Sequence, residues 1–139
     1  MATNNDLFKT ALAALNVISE IETPSAEQGA FCLARLNDMM ATWGEDGIDI
    51  GYYVQSSPTD TAPIPDWARE GVESNLAIKI APRYNATASP ELVATAMNSY
   101  ATILRKAIVE NARTANMDHM PLGAGGRRWR YNIETDRSY

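Results

Sequence analysis

Residues 33–53, Leu-Ala-Arg-Leu-Asn-Asp-Met-Met-Ala-Thr-Trp-Gly-Glu-Asp-Gly-Ile-Asp-Ile-Gly-Tyr-Tyr, decide how this chain folds. With Cys32 just before them, Leu36, Met39, Met40 and Trp43 recur at three- and four-residue spacing, the signature of one apolar helix face. Gly44 and Gly47 are placed to stop that helix, and Ile48–Val54 then reads as extended, a short strand or hairpin arm. A lone strand is not stable in water, so this segment needs a partner, either elsewhere in the chain or in a neighbouring copy.

Working outward, the same periodicity predicts three further helices. Upstream, Leu7, Ala11, Leu15 and Ile18 share a face over about Asp6–Ile18, with Asn4 or Asn5 as N-cap. Ser25 and Gln28 form a capping box that opens the second helix after the Glu20–Pro24 connection. Downstream, Gln55–Asp66 carries three prolines among small polar residues and excludes a helix. A third helix follows from Asp66 with Val72, Leu76 and Ile80 on its face, ending near Pro82, whose ring disfavours helical geometry at Ala81.

The fourth helix has the clearest start: Ser89 as N-cap, Pro90 at the first helical position and Glu91 in the first turn. It should run to about Asn116, roughly 40 Å, with Leu92, Ala96, Tyr100, Ile103, Leu104, Ala107 and Ile108 as its buried stripe. Four amphipathic helices on short to medium connections make an all-α, four-helix bundle-like body over residues 1–118, with one short extended segment. Residues 119–139 lose the helical period and read as an extended C-terminal arm.

The chain has 139 residues, enough for one core but too few for two. No apolar run exceeds about five residues, against the ~18 that a membrane span needs, so no membrane role is expected. Met1–Asp6 has neither the basic region nor the apolar core of a secretion signal. Charge is uneven. Residues 1–75 hold three bases against twelve acids, a net of −9, whereas residues 119–139 hold four arginines against two acids, a net of +2. A body that gripped a phosphate backbone would be basic, so this one repels DNA. Repulsion suits a surface past which DNA slides, and plain solubility accounts for it equally well.

Candidate chemistry is sparse. Glu45, Asp46 and Asp49 cluster as the carboxylates of a glycoside hydrolase do, but on a glycine-flanked turn with no apolar pocket to raise the pKa of one of them. They read as a solvated turn or rim. Cys32, the single cysteine, excludes an internal disulfide and sits on an apolar helix face, so it reads as core. His119 has no ligand-spaced companions and reads as a helix cap or an arm contact. Gly123-Ala-Gly-Gly follows a helix and opens none, unlike a phosphate loop. No catalytic residue, cofactor or metal is expected. Arg-Arg-Trp-Arg-Tyr at 127–131 mixes bases with aromatics, which serves protein anchoring or single-stranded DNA. A small helical DNA-binding protein is therefore the alternative, opposed by the acidic body and by Glu70 and Glu73 beside Arg69 and Lys79 on helix three. A peptidoglycan-cleaving virion protein ranks below it.

Three stretches in common order carry a family likeness: Met39–Trp43 with Asp46-Gly47-Ile48 and Gly51-Tyr52; Asn75-Leu76-Ala77 with Ile80-Ala81-Pro82-Arg83-Tyr84; and Met120–Gly126. Together they resemble the tail accessory factors of short-tailed phages, the head-to-tail adaptors also called packaged-DNA stabilisation proteins. Trp43, Asp46, Gly47, Ile48 and Pro82 are the core and turn residues of that pattern. The likeness extends to about Gly126 and leaves Arg127–Tyr139 without a clear counterpart.

The resemblance implies a virion protein of the phage neck, assembled in the host cytoplasm as a ring of 12 copies under the portal protein. Such a ring extends the DNA exit channel, lets packaged DNA pass without binding it specifically, and offers a platform to the tail nozzle or tail-tube protein. It also implies that the arm engages the portal. The residues suited to that grip are Met120, Pro121, Trp129, Tyr131 and Tyr139, with Arg127, Arg128 and Arg130 pairing to acids. Ordering a backbone costs about 1–2 kcal/mol per residue, so an arm of this length needs a large surface supplied by other subunits. The expected solution state is a monomer with a disordered tail, the ring forming only on the portal.

Overall fold

A computed structural model of the chain describes residues 2–114, with side chains to 110, and beyond them the backbone of residues 131–132 and 137–138. Four α-helices make the body: α1 (Asn4–Ala14), α2 (Ala26–Glu45), α3 (Asp66–Ile80) and α4 (Pro90–Thr114), with a 3-10 turn at Ala81–Tyr84. The all-α expectation holds. Helix α3 is the hub: α1, α2 and α4 all pack on it, and α1 and α2 also pack on each other. Leu7, Phe8 and Leu12 of α1, Leu36 and Met39 of α2, Val72, Leu76 and Ile80 of α3, and Ile103 of α4 are fully buried between them. Each such side chain contributes about 1.5–3 kcal/mol relative to exposure.

Local signals fix most boundaries. Ser25 and Gln28 form the expected capping box, each side chain bonding the other's backbone N–H. Ser89 Oγ accepts from Leu92 N at 3.2 Å and opens α4 at Pro90. The start of α1 differs from expectation. Its cap is Thr3, in a capping box with Asp6, and Asn4 lies inside the helix. Two reciprocal bonds at Thr3 satisfy more orphan N–H groups than a lone asparagine cap would. The Asp6 carboxyl is held below its ordinary value chiefly by the Thr3 N–H and then by the Thr3 hydroxyl.

α1 also stops at Ala14 rather than Ile18, because Asn16 turns into the left-handed region at φ 56°. Asn16 N–H reaches Ala13 O and Val17 N–H reaches Leu12 O, the paired bonds of a Schellman stop. α2 ends the same way at Gly47 (φ 86°), with Gly47 N–H on Gly44 O and Ile48 N–H on Trp43 O at 2.9 Å. Gly47 is thus the stop expected of it, whereas Gly44 lies within the helix. Pro82 ends α3 as an α-helix, but the chain winds on through the 3-10 turn, where a proline in the first turn lacks no needed donor.

Beyond α4, strand β1 (Tyr131–Asn132) pairs antiparallel with β2 (Arg137–Ser138). A pair of this length does not stand alone in water.

Candidate assembly surfaces

The corner after α2 is built from the stretch that decides the fold. Trp43 and Ile48 are both buried, the hydrophobic contact that accompanies a Schellman stop. Trp43 meets the Tyr100 ring edge-on at 5.4 Å, and the Tyr100 hydroxyl donates to Asp46 Oδ2 at 2.9 Å. Burial first, and then the Asp46 carboxylate, push the Tyr100 phenol up. Trp43, Asp46, Gly47 and Ile48 therefore act together: they turn the chain and hold α4 to the end of α2.

Ile48–Val54 forms no strand, and it bends at Ile50–Gly51, where Gly51 takes φ 77°. Its partner is a side chain. Asn37 Oδ1 accepts from Gln55 N at 3.1 Å and from the Tyr52 hydroxyl at 2.7 Å, and Asn37 Nδ2 donates to Gln55 O at 3.0 Å. One carboxamide thus bonds the N–H and the C=O of the same residue, as a neighbouring strand would. Asn4 continues the clasp, donating to Gln55 Oε1 and Ser57 O. Burial pushes the Tyr52 phenol up to about 12. Further on, Thr61 bridges back to Thr3.

The other motif residues join helices. Asn75 Nδ2 donates to Gly71 O within α3 and to Ala96 O of α4. Gly71 lets the two helices close up, since a Cβ there would meet Ile103 Cδ1 and Ser99 Cβ. At the far end of α3, Arg83 lies 4.3 Å from the centroid of the Phe31 ring and Tyr84 meets that ring edge-on at 6.4 Å. The Ile80–Tyr84 turn thus clamps α2, and Pro82 shapes it from an exposed position.

α4 carries more apolar surface than α3 covers. Ala96, Ile103 and Ala107 face α3, with Leu92 partly buried. Ile108, expected in the buried stripe, is 56% exposed, and Tyr100 and Leu104 are only partly buried. The buried row is narrower than the apolar row. An open groove of about 720 Å³ runs between α3, α4 and the 49–50 segment, with Lys106 Nζ 4.6 Å from the Trp67 ring centroid.

The remaining candidates fall where their chemistry suggests. Glu45 is exposed, Asp46 holds Tyr100, and Asp49 Oδ1 caps its own turn by accepting from Gly51 N. Cys32 is buried, and burial pushes its thiol up to about 11. Helix α3 is enclosed by α1, α2 and α4, and its Arg69 is engaged with Glu73 at 2.7 Å. It is not free to enter a DNA groove as a recognition helix would. Among the described residues no helix is long and apolar enough to cross a membrane, and no group of three or more His, Cys, Asp or Glu could hold a metal. His119, Met120, Pro121, Gly123–Gly126, Arg127, Arg128, Trp129, Arg130 and Tyr139 lie outside the described residues, as does the Tyr131 side chain.

The sequence profile of one protein family, described as P22 tail accessory factor, matches residues 2–139. The match runs past Gly126 to the last residue, so the Arg127–Tyr139 stretch falls within the family's span after all. Body and arm together belong to that family: this chain is a P22 tail accessory factor family member, a structural protein associated with the phage tail.

Proposed function

We propose that this chain is a head-to-tail adaptor that works by assembly and carries out no chemistry. Copies of it form a ring, of 12 by the family resemblance, under the portal protein. The ring extends the DNA channel, retains packaged DNA and gives the tail nozzle or tail-tube protein a platform, in the neck of a virion assembled in the host cytoplasm. The observation that carries this reading is the family match over both body and arm. Charge supports it: a first half with a net of −9 lines a DNA path without gripping it.

The fold supports a division of labour. Capping boxes, Schellman stops and the α3 hub give the body of residues 2–114 its own core. The arm holds the portal through Met120, Pro121, Trp129, Tyr131 and Tyr139, with Arg127, Arg128 and Arg130 meeting acids. Several arms acting together make weak contacts tight by raising effective concentration.

Deleting residues 120–139 tests this directly. The shortened chain should keep its helical circular dichroism and melting, yet no longer co-sediment with portal rings. Binding equal to that of the full chain would remove the arm from the account. In the full chain, Trp129→Ala should cost about 2 kcal/mol per subunit if Trp129 is a buried anchor.

A further inference from the structure

We infer that the uncovered apolar row of α4 is the surface on which the next copy of this chain docks, and that the next copy meets it with its Tyr53–Val54 loop. The inference rests on the ring reading above and names the faces that the ring would use.

At 3.6 residues per turn, Leu92, Ala96, Ile103 and Ala107 form one row of α4, and Val93, Met97, Tyr100, Leu104 and Ile108 form a second beside it. Together they span an apolar arc of roughly 160°, wider than the stripe of about 100° that a helix on one surface of a globule needs. α3 covers the first row. In the second, Tyr100 packs on Trp43 and Leu104 against the core, while Val93, Met97 and Ile108 face solvent, Met97 68% and Ile108 56% exposed, and no charged residue interrupts the row. An uncharged row of this length on a surface marks a place where another macromolecule sits.

Two observations favour a second copy as the occupant. A closed ring of identical subunits uses two different patches on each chain, one to give and one to receive. This chain has both. Besides the α4 row, Tyr53 is 65% and Val54 is 79% exposed, next to Gln55, whose backbone the Asn37 clasp holds. The charges also match. Arg105 is exposed beside the α4 row, and Asp60 is exposed just beyond the loop. The loop therefore brings an acid to the edge where α4 has a base, a complementarity that sets register more than affinity.

The test is a disulfide trap in the full-length chain carrying both Val54→Cys and Met97→Cys, with and without portal rings. Cys32 is buried and stays silent. On oxidation with portal present, the double variant should give a ladder of covalent oligomers beyond the dimer, and each single variant should give none. A dimer from Met97→Cys alone means that α4 pairs with α4, which overturns the inference. So does a bifunctional thiol reagent that joins the Met97→Cys variant to the portal. Rings visible in micrographs of the double variant without any ladder overturn this contact while leaving the adaptor reading intact. If no rings form, the adaptor reading fails and the contact fails with it. As a second measurement, Met97→Glu should melt like the parent and lose ring formation on the portal; rings at the parent's level contradict the inference.

Discussion

α3 and α4 share one seam, yet they differ in what each does with its surface. α3 is enclosed by three helices and is built for it, with Ala68, Gly71, Ser74 and Ala77 buried beside Val72, Leu76 and Ile80. Small side chains let its neighbours approach closely, and Asn75 and Ser74 turn their polar groups to nearby backbone carbonyls. α4 is longer, touches the body along one face, and keeps large apolar side chains on the face beside it. What α3 buries accounts for the fold. What α4 leaves open is the face on which we propose that assembly occurs.

The sharpest way to break that contrast is a pair of truncations five residues apart. Ile103→Ala, at the fully enclosed row, should cost about 3 kcal/mol in urea unfolding. Ile108→Ala, on the open row, should stay within about 0.5 kcal/mol. Equal costs would mean that α4 has no free face. Next in size is Gly71→Ala. Helix propensity alone predicts a gain of nearly 1 kcal/mol. The added Cβ meets buried Ile103 and Ser99 instead, so a net loss of about 1–2 kcal/mol is expected. A gain would show that the seam is looser than described.

The smallest effect lies away from both helices, at the α1 cap, and sets the scale for surface changes. Asp6→Asn should lower the melting temperature slightly at neutral pH. The Asp6 carboxyl is depressed in the folded chain, so its contribution is present above its ordinary value of 3.8 and is lost as the pH falls through the lower folded value. The difference between Asp6→Asn and the parent should therefore close in acid. A difference that persists there would mean the cap acts through shape and not through charge.

Sequence reading reached what short-range chemistry decides. The Ser25–Gln28 box, the Ser89-Pro90-Glu91 start and the Gly47 stop are local patterns, and each stands where it was expected. It missed what distant residues decide. Asn4 was a cap candidate by type, but its side chain is committed to Gln55 and Ser57, over fifty residues away, which leaves the cap to Thr3. The segment expected as a strand bends at Ile50–Gly51 instead, and no strand pattern could reveal that one asparagine in α2 would hold its end. Periodicity likewise merged the two rows of α4 into one stripe, because spacing shows which residues share a face and not how many neighbours cover it.

We propose a body that folds by itself and is completed only in a ring. Electron micrographs of the full-length chain mixed with portal rings test this most directly. The predicted result is a collar of added density around the channel axis beneath the portal, with repeating copies in side-by-side contact. Portal rings with no added density, or with single copies bound off the axis, would contradict it.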